Sequence, residues 1–278
     1  MTVLVTGAAG MIGSCLVRSL LHAGYTVIGV DRKQGTEQQA RNLIVDLSDA
    51  ETLQKIMTEY HVDRVIHLAA LAHTAGENDL SWDRYRHVNV TCSENVFRAA
   101  GERPVLFIST VDVYGFTKRS VTAETEPHPV TLYGRSKKMA EDACITQCKN
   151  YTVFRLSPVY TQDVKRDIQK RYYLKYPKLA YTIGKKTEFE VLAVEKAVCA
   201  MTEWCGQAPN NEIRILKDEL LLNPQACIES ERKSGRAGHV LRIPRWIAVA
   251  AYAVLKTITG KNKYTYLLHK AVYPLKTE

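Results

Sequence analysis

The sequence predicts an α/β protein: a Rossmann-type doubly wound parallel sheet carrying a small, shortened C-terminal substrate lobe. Three observations lead there. Residues 1–110 alternate apolar runs with amphipathic segments, the pattern of βαβ units. A glycine-rich turn, Thr6-Gly7-Ala8-Ala9-Gly10-Met11-Ile12-Gly13, joins the first apolar run to the first amphipathic one. Tyr133 and Lys137 then stand four apart on a helix-like segment, so both can face one site. With 278 residues the chain accommodates one large domain and an appended lobe.

The elements follow in order. Val3-Leu4-Val5 is a first strand, and Met11 to Ala23 places Ile12, Leu16, Leu20 and Leu21 at helical spacing before Gly24 stops it. Tyr25 to Val30 is a second strand closing at Asp31, and Asn42 to Val45 a third. A helix from Ala50 to Tyr60 leads to a fourth strand, Arg64 to His67. Leu80 to Ala100 reads as one long helix, on which Asn89 is taken as structural. Pro104 to Thr110 is nearly continuous in apolar residues, as a strand covered on both faces must be. Tyr133 to Cys148 is a helix and Tyr151 to Leu156 a sixth strand. Val159 to Lys186 is polar and tyrosine-rich, Glu195 to Trp204 a helix, Asn211 to Leu216 a short strand, and Ile247 to Ile258 the last clear helix.

Composition narrows the class. Hydrophobic residues make up 46% and charged residues 24%, an ordinary mixture for a packed core. The net charge is +9, and nearly all the excess lies after residue 230, where ten cations from Arg232 to Lys276 face only Glu231 and Glu278. No nucleic-acid recognition motif accompanies that tail, so a nucleic-acid partner is not expected. With Trp246, an apolar helix, Tyr264, Tyr266 and Tyr273, the tail could instead make peripheral contact with an anionic membrane, or pack on the lobe or a partner subunit. The run Trp246 to Leu255 is about half the ~20 residues needed to span a bilayer. The start Met-Thr-Val-Leu-Val-Thr-Gly enters a strand directly and has no secretory pattern, so a cytoplasmic location is expected. The seven cysteines are then reduced thiols. Cys144 and Cys148 lack the other half of a zinc site, and no metal is expected.

The glycine turn is the first chemical site. Gly7 permits a tight turn, Gly10 lets the backbone approach a pyrophosphate, and Gly13 lets the helix pack close to the strand. The helix begins at Met11 and Ile12, whose end of the helix dipole favours a phosphate. Asp31, about 20 residues on, can accept hydrogen bonds from an adenosine ribose, which favours NAD over NADP. Arg32 and Lys33 are the neighbouring cations that could accommodate a 2′-phosphate instead. In the second site the Lys137 ammonium favours the phenolate of Tyr133, which can then exchange a proton with a substrate hydroxyl as hydride moves to or from nicotinamide.

Taken together, these stretches resemble an extended short-chain dehydrogenase/reductase of the NAD-dependent epimerase/dehydratase family, which acts mainly on nucleotide sugars. The likeness runs over residues 1–160 through the glycine turn, Asp31, Asp46-Leu47, His67-Leu68-Ala69-Ala70, Phe107-Ile108-Ser109-Thr110, Val113-Tyr114-Gly115 and Tyr133-Gly134-Arg135-Ser136-Lys137. It implies that Asp46 and Leu47 hold adenine and that Leu68, Ala69 and Ala70 line the pyrophosphate and nicotinamide. Thr110 orients the substrate oxygen, Tyr133 is the acid/base, Lys137 binds the nicotinamide ribose, and Pro158 follows the sixth strand beside the nicotinamide.

Residues 1–160 would form the NAD-binding domain. Residues 161–278 would form the substrate lobe, its tail partly returning to the sheet. The implied function is an NAD-dependent epimerase or keto-reductase of a nucleotide-activated sugar in polysaccharide precursor synthesis, acting as a homodimer. The competing readings are a retired NAD-binding scaffold or sensor, and a membrane-docked reductase of a lipid-linked sugar.

Departures from the family pattern sharpen this. Val111-Asp112 follows Thr110 where the dehydratases carry Asp-Glu, and valine cannot donate a proton, so sugar 4,6-dehydration is not expected. Pro158 stands where many of the epimerases have Asn, and Thr161-Gln162 where they have Gly-Pro. Phe189-Glu190 replaces an Arg-Asp pair whose arginine commonly holds the nucleotide diphosphate. Lys165, Arg166, Lys170, Arg171, Lys175, Lys178, Lys185 and Lys186, interleaved with Tyr172, Tyr173, Tyr176 and Tyr181, are candidates to replace it, with a solvated basic loop as the alternative.

Overall fold

A computed structural model describes residues 1–72, 81–161, 166–169, 171–173, 179–184, 187–235, 239–260 and 262–278. Six short apolar runs become parallel strands: β1 (Thr2–Thr6), β2 (Thr26–Asp31), β3 (Arg41–Ile44), β4 (Arg64–His67), β5 (Val105–Thr110) and β6 (Tyr151–Leu156). The helices among them are α1 (Met11–His22), α2 (Ala50–Glu59), α3 (Trp82–Arg86), α4 (Cys92–Ala100) and α5 (Leu132–Gln147).

Beyond β6 come β7 (Val159–Tyr160), α6 (Arg166–Gln169), β8 (Leu179–Ile183), β9 (Leu192–Ala193), α7 (Val194–Gly206) and β10 (Glu212–Leu216). The chain closes with α8 (Pro224–Lys233), β11 (His239–Ile243), α9 (Arg245–Thr259) and α10 (Lys263–Val272).

The main sheet has the order β10-β6-β5-β4-β1-β2-β3, with all described pairings parallel. Chain order reverses between β1 and β4, the switch point where open α/β sheets bind ligands beyond the carboxyl ends of their strands. One face of the sheet is covered by α2, α4 and α5, which bury Leu53, Val96, Phe97 and Cys144 against Leu4, Val65 and Phe107. The other is covered by α1 and α7, where Leu16 and Leu20 meet Met201 and Trp204 over Val3, Val5 and Phe154. Trp204 Nε1 also donates to Thr152 Oγ1 at 2.9 Å. The segment after residue 161 therefore returns to the sheet as α7 and the edge strand β10.

Three expectations are refined. The long helix runs continuously from Trp82 to Ala100 but holds a π turn, His87–Thr91, between α3 and α4. There Asn89 turns inward to bind both the backbone N–H and the carbonyl of Leu71, at 2.6 and 3.1 Å. The helix ending near Ile258 is not the last, because α10 follows, opened by Asn262 capping the N–H groups of Tyr264 and Thr265. Third, β8, α8 and β11 lie where no element is expected; parallel pairing of β8 with β11 organises the lobe. Among the described residues no helix is long and apolar enough to cross a membrane.

Candidate active site

The glycine turn is held by Gly7, whose φ of +72° suits a residue without Cβ; a Cβ there would lie 2.8 Å from the Ala69 backbone nitrogen. At Gly13 it would lie 2.0 Å from the Gly7 carbonyl oxygen, so α1 can lie against the turn only with glycine at this position. Gly10 is the N-cap of α1 without a side-chain cap, and the first turn, which Met11 and Ile12 open, carries no carboxylate. An anion-ready helix end is thus left at the sheet's switch point. Asp31 closes the turn from β2 by accepting from the Ala9 N–H at 3.1 Å and from Lys33 at 3.1 Å.

Further along the carboxyl ends, Leu68 donates its N–H to the Thr6 carbonyl and Ala69 to Thr6 Oγ1, bringing Leu68, Ala69 and Ala70 beside the glycine turn. Asp46 accepts from Ser48 N–H at 2.9 Å. That bond, with the nearby Arg32 and His87, holds its carboxyl below the usual range. Leu47 is buried, its carbonyl taken by Asn95 at 3.0 Å. Arg32 and Asp46 thus stand near enough for their charges to interact.

Thr110 ends β5 in register with Leu156 of β6. Its hydroxyl accepts from Asp112 N–H at 3.2 Å, starting the 3-10 turn Val111–Tyr114. The amino end of α5 packs on this turn: Thr131 caps Gly134 N–H, and a Cβ on Gly134 would meet the Asp112 carbonyl at 2.8 Å. Tyr133, in the first turn of α5, is partly exposed, while Lys137 one turn on is 2% exposed. The Lys137 ammonium lies 4.0 Å from the centre of the Phe107 ring. Burial lowers its pKa to about 7, opposed by Glu141 one turn further on.

Two buried networks fix this helix. Thr6 Oγ1 meets His67 Nδ1 at 2.6 Å, His67 Nε2 meets Ser93 at 2.8 Å, and Ser93 donates to the Asn89 carbonyl. Asn89 in turn donates to Ser136 Oγ, which donates to the Tyr133 carbonyl. Burial brings His67 down to about 3, with Lys137 adding to the effect, so the relay is neutral. Separately, Arg155 of β6 clasps Glu141 through two bonds, 3.1 and 2.9 Å, and reaches the Tyr114 hydroxyl at 2.8 Å. Sequence reasoning missed both networks; the Asn89, Ser136 and Arg155 side chains have no spacing signal that pairs them.

Beside the 3-10 turn lies a small cleft of about 30 Å³, lined by Asp112, Ser157, Pro158, Arg171 and, from α10, Tyr266, His269 and Lys270. Lys270 Nζ binds Asp112 at 2.5 Å, and His269 Nε2 donates to the Thr117 carbonyl at 2.8 Å. His269 Nδ1 and Ser157 Oγ are buried and have no hydrogen-bond partner among the described residues. The residues standing in place of Arg-Asp also have a local task. Phe189 lies under the Arg171 guanidinium, 4.7 Å from its ring centre, and Glu190 holds Thr277 and Lys217.

Of the basic, tyrosine-rich stretch, Lys165, Lys170, Lys175, Tyr176, Lys178, Lys185 and Lys186 lie outside the described residues, as does the side chain of Arg166. Tyr172 is not a stacking surface. It is 2% exposed, packs with Ile168 and Val191, and donates to Glu231, as does Tyr173. Cys144 and Cys148 are free thiols with sulfurs 4.0 Å apart, and the hydrogen bond with Cys148, then burial, raise the pKa of Cys144.

The NAD dependent epimerase/dehydratase family model matches residues 3–193. The chain belongs to this family. Over 167 residues it is 35% identical to UDP-arabinose 4-epimerase 1 of Arabidopsis thaliana, covering 53% of this chain and 39% of that protein. It is 32% identical over 174 residues to the UDP-glucose 4-epimerase of Drosophila melanogaster, covering 54% and 49%. The matched stretch thus spans less than half the length of either relative. A UDP-glucuronic acid 4-epimerase from Bacillus cereus solved with NAD shares the fold, with TM-score 0.73, 22% identity and coverage of 88% and 86%. So does a UDP-glucose 4-epimerase from Thermotoga maritima solved with UDP-glucose, with TM-score 0.72, 22% identity and coverage of 88% and 86%.

Proposed function

We propose that the protein is an NAD-dependent epimerase of a nucleotide-activated sugar, serving polysaccharide precursor synthesis. The observation that carries this reading is the placement of Thr110 and α5, with Tyr133 and Lys137, at the carboxyl ends of the same sheet that bears the glycine turn and Asp31. The residues fit NAD: the uncapped helix end would meet the pyrophosphate, Asp31 the adenosine ribose, and Asp46 and Leu47 would border the adenine. Hydride acceptance from a ring carbon and its return to the opposite face is the chemistry that bound NAD would supply. Tyr133 takes the proton of the hydroxyl on that carbon and later gives it back, while Thr110 holds the oxygen. Lys137, whose charge is costly in its buried position, gains a partner in the phenolate and so favours the deprotonated tyrosine.

The sugar would turn its other hydroxyls to the cleft. His269 donates through Nε2 to a carbonyl, so its bare Nδ1 is an acceptor for a sugar hydroxyl, and Ser157 can donate or accept. The family match and the 4-epimerases among its relatives favour epimerisation over net reduction.

Incubation with UDP-hexoses and UDP-uronic acids, followed by NMR, tests this. Epimer formation without consumption of added NADH is expected. NADH consumption on a keto-sugar would make the protein a reductase, and hydride transfer to none of the panel, with cofactor bound, would leave the scaffold reading.

A further inference from the structure

We infer that α9 docks the protein onto an anionic lipid surface. The helix meets the rest of the molecule along one narrow side, where Ala248 and Tyr252 are buried with Ile183 and Val272. The opposite side is apolar and open. At 100° per residue, Trp246, Ile247, Ala250, Val254 and Ile258 fall on one arc, all exposed, with Trp246 at 72% and Ile258 at 76%. Leu241, just before the helix, and Tyr264 and Leu267 of α10 are exposed as well. A contiguous apolar face of this kind on a surface helix is a partner site rather than scattered exposure.

Charge selects the partner. Between residues 232 and 277 the sequence contains no Asp or Glu. The exposed cations flank this face rather than lie on it: Arg242 comes from the preceding strand, Arg245 and Lys256 from the helix side next to Tyr252, with Lys256 over the Tyr252 ring, and Lys118 lies over the neighbouring Tyr273 ring at 4.6 Å. A two-fold contact between copies would bring the same unbalanced cations together with no carboxylate to answer them. An anionic lipid surface satisfies both features: its headgroups take the cations, and its acyl boundary takes the Ile and Val side chains with Trp246 at headgroup depth. The inference stands apart from the assigned chemistry, since none of these exposed apolar residues or cations lines the cleft or the glycine turn.

The test uses the full chain and vesicles of phosphatidylcholine alone or mixed equally with phosphatidylglycerol. Co-sedimentation with the mixed vesicles at low salt is expected, with loss at high salt and none with phosphatidylcholine alone. Trp246 emission should be quenched by brominated acyl chains. The double variant Trp246→Ser, Ile258→Ser should bind about tenfold or more weakly, its circular dichroism unchanged because both positions are exposed. A second variant, Arg242→Gln with Arg245→Gln and Lys256→Gln, should lose the preference for anionic vesicles. Equal binding to both vesicle types, binding that survives both variants, or no binding at all would overturn the inference. So would concentration-dependent self-association abolished by Trp246→Ser, Ile258→Ser, which would assign the face to a second copy.

Discussion

From the glycine turn to α5, Thr6, His67, Ser93, Asn89 and Ser136 bind one another in an unbroken buried run. Across the cleft, Ser157 Oγ and His269 Nδ1 are just as buried and bind nothing among the described residues. An unsatisfied buried polar atom costs about 1–3 kcal/mol, so the contrast separates a run that is finished before ligand arrives from a pair of groups that a ligand would complete; Ser109 Oγ, beside Thr110, is open in the same way. The finished side lies within the family match. Of the open pair, Ser157 lies within it too, and His269 comes from α10, beyond residue 193 where that match ends.

The largest effect should come from the finished side. Tyr133→Phe removes the proton carrier and keeps the backbone carbonyl that Ser136 binds. Turnover should fall ~10²–10⁴-fold, with cofactor affinity by calorimetry unchanged. Next in size, Arg155→Met leaves Glu141 buried and unanswered in place of a clasped ion pair with side chains 3% and 1% exposed. Urea denaturation should report a loss of about 3–5 kcal/mol.

Lys137→Met should separate folding from function. The pKa of Lys137 is lowered to about 7 by burial, so between roughly pH 7 and 10 the unfolded chain binds a proton that the folded chain does not. Wild-type stability from this group therefore rises with pH across that window, and the penalty is greatest below it. The methionine variant should be more stable at neutral pH by about 1–4 kcal/mol and should lose the pH-dependent part, while turnover falls.

Smallest, and specific to the unfinished side, His269→Phe should keep the packing with Phe116 and Tyr252 but remove the Nδ1 acceptor together with the Nε2 bond to the Thr117 carbonyl. Sugar KM should rise by about tenfold with NAD affinity unchanged. A weakened NAD affinity would mean that α10 belongs to the cofactor side, and the comparison drawn above would fail.

The same divide governs what could be read from the sequence. The six strands and the helices through residue 156 were legible because period-2 and period-3.6 patterns are local, and the glycine turn because Gly7 and Gly13 are forced by steric contact. The π turn at Asn89 was not, since it follows from a bond to Leu71 eighteen residues away. Nor were β8 and β11, whose pairing crosses from Leu179 to His239, nor the reach of α10 to Asp112. The tyrosines near residue 172 looked like a stacking surface because composition does not reveal that Glu231 takes both Tyr172 and Tyr173.

The central claim is that Tyr133 exchanges a proton with a sugar hydroxyl in an NAD-dependent hydride transfer, with Thr110 holding the oxygen and Lys137 favouring the phenolate. Rapid mixing of the NAD-loaded protein with the UDP-sugar panel, followed by nicotinamide absorbance, tests it most directly. A transient reduced-nicotinamide signal that rises and decays with a sugar turned over by the wild type, and is absent in Tyr133→Phe with cofactor still bound, is the predicted result. The same transient in Tyr133→Phe, with the amplitude and rate of the wild type, would contradict it.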